Sequence, residues 1–537
     1  LFVDAIGYLI GFRGAAMSIF ALLVGAGSMA WSASSAWRIG RRIAPGNAWL
    51  APALLVTSGP LGWGFMSGMD LPLFLALALA FAADWPEPDR PPRPRFFLWG
   101  ALLGLARPDA VFLVLPASVL GYLRHGRRWA WAIPLAGAGL PFLLQWILTG
   151  EPQSASMDAK SVLANPGFTF SSWLANGVSY LNLVLRGVMG GGLVRDASGI
   201  AANDGSAIGF LLVPFALSLF LLGTLPGAWI EWRARQAGLH ILLLLWSALL
   251  LLALSFTVPR AWHWHRYLMP LYPLLLLGAA AGADRLGRGV EMVWRELREG
   301  EGARVLGTAL ILLSLPGAVF FLVAYGRNCA DIAFQHIDLA ERLNAGNPRT
   351  PRLLGLHDTG ALAYFGRYRT LDLEGLASAR FRHAARLGAA GIWEEMERVS
   401  PGDRPDMLAV YPTWFDTGFL QPHRLVHMQR IFRPSIAGGN PIHLYEADWS
   451  LAGSGDLPRD PTVTGELAGA RLAGAVDVAD LASEAAAQSI CLTDYAAVLA
   501  IERGASPNTV YPPNRPPTKR TDEPWKAGPR QIRLTRL

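Results

Sequence analysis

The sequence predicts an α-helical polytopic membrane bundle followed by a small extracytoplasmic α/β domain. Composition is the first reason. Of 537 residues, 52% are hydrophobic and only 16% are charged, where soluble globular chains carry about a quarter charged residues. Mean hydropathy is +0.30. Layout is the second reason: residues 207–230, 239–258 and 305–325 are almost free of charge, and each is long enough as a helix to cross about 30 Å of hydrocarbon. The third is a change of character after Tyr325, where long apolar runs give way to short ones bounded by charge and turn residues. Disorder, a fibrous repeat and a purely soluble enzyme are excluded on the same grounds.

Charge sets the topology. The 47 basic and 40 acidic residues leave a net charge of +7, and only Lys160, Lys519 and Lys526 are lysines. So strong an arginine skew reads as a composition bias, so each arginine is weighed by position, and no nucleic-acid partner follows from it. Two cysteines, Cys329 and Cys491, cannot build a disulfide framework, though one bridge between them stays open. The chain enters apolar sequence directly from Leu1, without a charged leader or cleavage site, and is expected to be a fragment missing its true N-terminus.

Short arginine-rich loops should face the cytoplasm. Arg38, Arg41 and Arg42 follow the first long helix, Arg90, Arg93 and Arg95 the third. Arg124, Arg127 and Arg128 come next, then Arg233 and Arg235, then the arginines of 285–304. With these on one side, the other receives Arg13, the 67–70 turn, Arg107 with Asp109, the 149–206 loop, the 259–266 turn and everything after Tyr325. Residues 96–106 and 110–123 are then two short helices of a hairpin whose polar tip, Arg107-Pro108-Asp109, is sunk near the outer leaflet. Irregular backbone at that depth requires protein or water around it. The competing reading, one long kinked helix, would invert the next loop and break the arginine pattern.

In the 149–206 loop, Trp173, Gly177, Leu181, Leu185 and Val188 recur at helical spacing, with Ser172, Asn176, Ser179 and Arg186 mostly on another face. That pattern predicts an interfacial helix followed by a Gly190-Gly191-Gly192 hinge. Beyond Tyr325, strands are expected at 352–356, 370–373, 407–411 and 442–445, with a helix over 379–399 between two of them. The domain plan is therefore a transmembrane unit at 1–325, a soluble extracytoplasmic α/β unit at 326–450, and a poorly defined extension at 451–537, disordered toward its end.

Ionisable residues at membrane depth are costly and are functional candidates by default. Asp70 ends Ser67-Gly68-Met69-Asp70 just before the apolar run 71–83. It either sits there because a helix N-terminus favours a carboxylate, or it orients a sugar hydroxyl or a metal. Arg107 and Asp109 either pair with each other to bury the hairpin tip, or Arg107 holds a phosphate or a second carboxylate. His263, His265 and Arg266, in His-Trp-His-Arg-Tyr, could bind an anionic headgroup, whereas Trp264 and Tyr267 are ordinary interfacial anchors. A zinc site there lacks a third ligand at suitable spacing. Asp158 and Lys160 read mainly as solvated loop charges. His357-Asp358 after one strand, and Asp372 with Glu374 at another, could be catalytic, but no nucleophile motif or phosphate-binding glycine loop accompanies them.

Together these pieces resemble integral-membrane glycosyltransferases of the glycosyltransferase C superfamily, which take a sugar from a polyprenyl-phosphate donor. The resemblance runs through Ser67-Gly68-Met69-Asp70, Leu105-Ala106-Arg107-Pro108-Asp109, and Arg266-Tyr267 with Pro270 and Pro273. It continues through the His357–Phe365 run His-Asp-Thr-Gly-Ala-Leu-Ala-Tyr-Phe and Leu371-Asp372-Leu373-Glu374-Gly375-Leu376, similar to outer domains of bacterial mannosyl- and arabinofuranosyltransferase-like members. It covers residues 1–450.

The resemblance implies a glycosyltransferase C-like bundle in the bacterial inner membrane, with its catalytic carboxylate in the first outer loop, which is expected upstream of Leu1. Asp4 has no matching motif around it. The implied reaction is inverting transfer, in which a carboxylate deprotonates an acceptor hydroxyl as it attacks the anomeric carbon and polyprenyl phosphate departs. Arg266 with His263 or His265 would stabilise the leaving phosphate, and Asp70, Arg107 and Asp109 would shape the sugar pocket. The implied partners are a polyprenyl-phosphate sugar, a glycan, lipid or protein acceptor, and membrane lipids. No cofactor is required by the residues, with a divalent cation left open. Two other classes remain: a secondary transporter, which should show two related halves around a midplane site, and a non-catalytic envelope protein that binds lipid-linked glycans.

Overall fold

The computed structural model describes residues 2–450 and 452, except 88–89, 127–128, 152–168, 184–206, 235, 237, 258–263, 265, 295, 387, 416 and 433. Its described helices in the apolar region are α1 (Phe2–Leu9), α2 (Ala16–Ile43), α3 (Leu50–Thr57), α4 (Gly59–Met66), α5 (Leu71–Ala83), α6 (Pro94–Ala106) and α7 (Val111–His125). These are followed by α8 (Ala132–Thr149), α9 (Phe170–Leu183), α10 (Ala207–Arg233), α11 (Leu239–Ser255), α12 (Tyr272–Val293) and α13 (Glu301–Ile332). Several carry a proline at the first or second position, as α4, α5 and α6 do. The first-turn amides have no intrahelical acceptor, so a missing N–H there costs nothing.

Among the described residues, Ala16–Ile43, Trp129–Thr149 and Glu301–Asn344 are each long and apolar enough to cross a membrane alone, and α4 and α5 qualify as a pair that meets at 117°. The protein is thus a polytopic helical bundle carrying a small α/β domain. Its arginine-rich loops collect at one end. Arg38 and Arg95 both pair with the buried carboxylate of Asp84, to which the Trp99 indole N–H also donates at 3.0 Å. The Arg42 guanidinium donates to the Trp85 carbonyl at 2.9 Å, and Asn47 Nδ2 donates to the Ala303 carbonyl at 2.7 Å.

The 94–125 segment is a hairpin. Its first helix starts beside Asp84 through Arg95, and its second returns to the same end, where His125 stacks on Trp131 at 5.9 Å and Trp131 lies against Trp85 and Phe97. The break falls at Arg107 because Pro108 disfavours helical backbone in the residue before it; Arg107 is extended (φ −153°, ψ 143°). α8 packs along α6 through small residues. A Cβ at Gly104 would stand 2.4 Å from the Ala138 Cα, and one at Gly137 would stand 2.4 Å from the Ala101 Cα. Close backbone approach of this kind is how helices gain packing where lipid and side chain are equally apolar.

α9 docks on the end of α11: the Trp173 indole donates to Ser255 Oγ at 2.8 Å, and Tyr180 and Thr257 share a hydrogen bond of 2.8 Å. Its packed side carries Trp173 together with a polar residue. Asn176 and Tyr180 are buried, while Phe170, Leu174, Val178 and Leu181 are exposed. The Gly190–Gly192 hinge, Asp158 and Lys160 lie outside the described residues.

α13 continues without a break past Tyr325, passes through a π-helical stretch at Ala333–Ile337 and enters α14 (Asp338–Asn344). The α/β domain then forms a five-stranded sheet in the order β2-β1-β3-β5-β4, from β1 (Leu353–Leu356), β2 (Arg369–Asp372), β3 (Met407–Val410), β4 (Arg424–Gln429) and β5 (Ile442–Glu446). β1 runs parallel to β2 and β3, and β5 is antiparallel to β3 and β4. β1 and β3 are buried throughout, as sheet strands covered on both faces should be. The expected helix over 379–399 is two helices, Phe381–Arg386 and Gly388–Arg398, broken where Gly388 takes φ +80°. β4 had no sequence signal because it is an edge strand, exposed on much of its length and bulged between Leu425 and His427.

Candidate functional site

The residues singled out at one end of the bundle come together there. After α4 the chain reverses through Ser67, Gly68 and Met69 to Asp70, and Gly68 holds φ +70°, a conformation glycine adopts without a Cβ penalty. Asp70 occupies the N-terminal flank of α5 but makes no side-chain cap there. Its carboxylate instead accepts from Arg107 Nη1 at 3.1 Å. The carboxylate thus spends this hydrogen bond on the hairpin tip rather than on the first-turn amides of its own helix.

Arg107 is also bound by Asp109 in a two-pronged pair, with Nε to Oδ1 at 2.9 Å and Nη2 to Oδ2 at 3.0 Å. It lies over the ring of buried Phe74, 5.5 Å from the centroid. The mutual ion pair and the second carboxylate are thus both present, and one guanidinium bridges two loops.

Arg266 reaches the same turn. Its Nη1 donates to the Met69 sulfur at 3.4 Å and its Nη2 to the Tyr267 hydroxyl at 3.0 Å. Asp109, Arg107, Asp70, Met69, Arg266 and Tyr267 therefore form one continuous group. Among the described residues Arg266 pairs with no carboxylate. His263 and His265 lie outside the described residues, and no group of three His, Cys, Asp or Glu side chains converges as a metal site among those described.

The α/β domain stands over this end. The Tyr325 hydroxyl donates to the Met66 carbonyl at 3.0 Å, just before the Ser67 turn. Asn328, buried one turn later, accepts at Oδ1 from the indoles of Trp63 (2.8 Å) and Trp264 (3.0 Å), and donates from Nδ2 to Ser435 Oγ at 2.8 Å. Asp331 accepts from the Ser435 hydroxyl at 2.7 Å and the Ile436 amide at 3.0 Å. Further out, buried Arg382 pairs with Glu151 beyond α8 at 2.8 Å, and Tyr8 donates to the Tyr364 hydroxyl at 2.9 Å. The Asn328, Arg382 and Tyr364 contacts join the domain to the end that holds Asp70, Arg107 and Arg266.

Asn328, Asp331 and Ser435 were not singled out from sequence. Their only signal is a polar run, Gly326-Arg327-Asn328, directly after an apolar span.

Within the domain, His357 follows β1 and is packed between the rings of Tyr411 (4.3 Å) and Trp414 (4.5 Å). Burial pushes its pKa down to about 4, because a charged imidazole would lose its hydration. Its neighbour Asp358 lies 3.2 Å from His336 Nε2. Burial works to raise that carboxyl, but the hydrogen bond and charge of His336 outweigh it and hold Asp358 well below the usual carboxylate range. Asp372 serves its own loop, accepting from the Glu374 amide at 2.9 Å, and burial raises its carboxyl.

Residues 330–470 match the family described as a domain of unknown function (DUF8728). No curated protein matches the chain. Two solved structures are similar to it. One is the crystal structure of ArnT from Cupriavidus metallidurans bound to undecaprenyl phosphate, at 16% identity and a TM-score of 0.45 over 84% of this chain and 88% of that one. The other is apo ArnT from the same organism, at 14% identity and a TM-score of 0.42 over 84% and 87%.

Proposed function

We propose that the protein is an integral-membrane glycosyltransferase of the glycosyltransferase C type that takes a sugar from a polyprenyl-phosphate donor. The acceptor is a glycan, lipid or protein on the extracytoplasmic face of the bacterial inner membrane. The observation that carries the reading is Arg266. A guanidinium held between a thioether and a phenol, with no carboxylate among the described residues, sits beside an Asp70–Arg107–Asp109 network at a membrane-bundle end. A phosphate leaving group needs positive charge where negative charge grows, and a lipid phosphate presents its charge at that depth while its tail remains among apolar helices.

Roles divide by what each group already holds. Asp70 and Asp109 accept from Arg107, so we assign them to shaping the sugar pocket rather than to proton abstraction, and we assign no residue of the described chain as general base. Arg266 takes the phosphate, assisted by His263 or His265. The α/β domain covers the site and selects the acceptor. Transfer is inverting, and mannosyl- and arabinofuranosyl-phosphate lipids are the donors to try first, as the motifs resemble those enzymes.

The test uses the chain in nanodiscs with a labelled polyprenyl-phosphate sugar, and with undecaprenyl phosphate as a binding probe. Losing one charge-assisted contact to phosphate, as in Arg266→Gln, should weaken lipid-phosphate binding by about 10-fold to 100-fold, equivalent to about 1.5–3 kcal/mol. Unchanged binding would remove Arg266 from its role. Covalent transfer of label, flux across the membrane, or retention without transfer separates an enzyme from a transporter or a binding protein.

A further inference from the structure

Trp264 is the only described non-glycine residue with a positive φ, at +56°. A bulky side chain in left-handed backbone is strained and persists only where its surroundings over-determine it. Two sets of contacts do so here. The ring packs edge-on against Phe320 and Phe321, at 5.9 and 5.0 Å. Its indole N–H is fixed by Asn328 Oδ1, which accepts Trp63 as well. Arg266 lies two residues on, and its Nη1 meets the Met69 sulfur. Trp264 is therefore an anchored point two positions before Arg266.

Asn328 does more than anchor an indole. Its amide nitrogen donates to Ser435 in the α/β domain, and Ser435 is itself held by Asp331. One buried side chain thus touches α4, the Trp264 segment and the outer domain at once, spending one oxygen and one nitrogen on three partners. We infer that Asn328 is a positioning residue: through Trp264 it sets where Arg266 presents its guanidinium, and through Ser435 it makes that placement depend on the docking of the α/β domain. This inference rests on the assignment of Arg266 to a lipid phosphate.

The experiment measures the dissociation constant of undecaprenyl phosphate for the full chain in nanodiscs, together with its unfolding midpoint. The variants are Asn328→Ala, Ser435→Ala, Arg266→Gln and the Asn328→Ala/Arg266→Gln double. Asn328→Ala should weaken binding by about tenfold and Ser435→Ala by about threefold, the scale of one or part of a hydrogen bond. The double variant should bind no more weakly than Arg266→Gln alone, because groups acting through one another are non-additive.

Multiplied effects in the double, or a lowered unfolding midpoint with unchanged binding, would overturn the inference by reducing Asn328 to a structural residue. Ser435→Ala removes only a hydroxyl at the domain edge, so it decides the matter even where Asn328→Ala fails to fold; unchanged binding in that variant overturns the coupling. An Arg266→Gln variant that binds normally fails the underlying functional reading instead, and is distinguished by its own control.

Discussion

Replacing Arg107 by alanine gives the sharpest test of how the polar end is built. The Arg107 side chain is 14% exposed, its partner Asp109 20% and Asp70 55%. Removing the guanidinium leaves Asp109 with two unmet acceptor sites in a half-buried position. Breaking a buried pair from one side costs about 3–5 kcal/mol, and partial water access at Asp109 brings that to about 2–4 kcal/mol. Asp70→Asn loses one 3.1 Å contact to a mostly exposed oxygen and should cost under about 1 kcal/mol. Asp109→Asn should fall between them. A double Arg107→Ala/Asp109→Ala variant should recover part of the single loss, since the only carboxylate left without Arg107 is the mostly exposed Asp70. The assay is equilibrium unfolding of the full chain in mixed micelles. Equal losses for Arg107→Ala and Asp70→Asn, or a double variant as unstable as the summed singles, would refute the view that an orphaned carboxylate sets the cost.

Two further outcomes follow from packing and from burial. Gly104→Leu must push α6 off α8, because a Cβ there already meets the Ala138 backbone at 2.4 Å. It should cost at least about 1–3 kcal/mol in the same unfolding assay, whereas Gly139→Leu, with open space around it, should stay within about 0.5 kcal/mol. For pH, unfolded His357 takes up a proton near its ordinary 6.5 and folded His357 only near about 4. The unfolded state therefore binds more protons in that window, so the stability is full above about pH 6.5 and is lost as pH falls toward about 4, by roughly 3 kcal/mol at about 1.4 per unit. His423, also pushed down to about 4 by burial, adds with the same sign. Unfolding midpoints read between pH 7 and pH 4.5 should fall steeply, and His357→Asn should flatten the slope; an unchanged slope counts against His357.

The bundle was legible because a membrane leaves few solutions: long charge-poor runs become helices, and arginines sort the loops. The hairpin was legible for a local reason as well, since Arg107 precedes a proline. Parallel strands β1 and β3 announced themselves as short apolar runs. What sequence hid is what depends on partners distant along the chain. Asn328 lies 265 positions from Trp63 and 107 from Ser435, and nothing local marks it as a hub. The docking of α9 was hidden for the same reason: Asn176 is polar by composition and buried by packing. β4 carries an exposed, bulged edge whose alternation is broken, so its periodicity was absent rather than overlooked.

Asp84 at one end of the bundle and Arg266 at the other are charged groups held differently, and the difference bears on the proposed function. At the arginine-rich end the buried carboxylate Asp84 is saturated by Arg38, Arg95 and the Trp99 indole. Such a site is complete and has nothing left to bind. At the other end Arg107 is likewise satisfied by two carboxylates, but Arg266 meets only a sulfur and a phenol among the described residues. A guanidinium partly withdrawn from water, with weak acceptors around it, has not recovered its lost hydration. An anion arriving at Arg266 would recover it, and would do so next to a carboxylate pair suited to sugar hydroxyls. Under the proposed function one end is structural and the other takes the ligand, which makes a specific demand. Arg285→Gln, at the arginine-rich end, should leave lipid-phosphate binding unchanged while Arg266→Gln weakens it, so equal losses from both would mean that only general surface charge is at work.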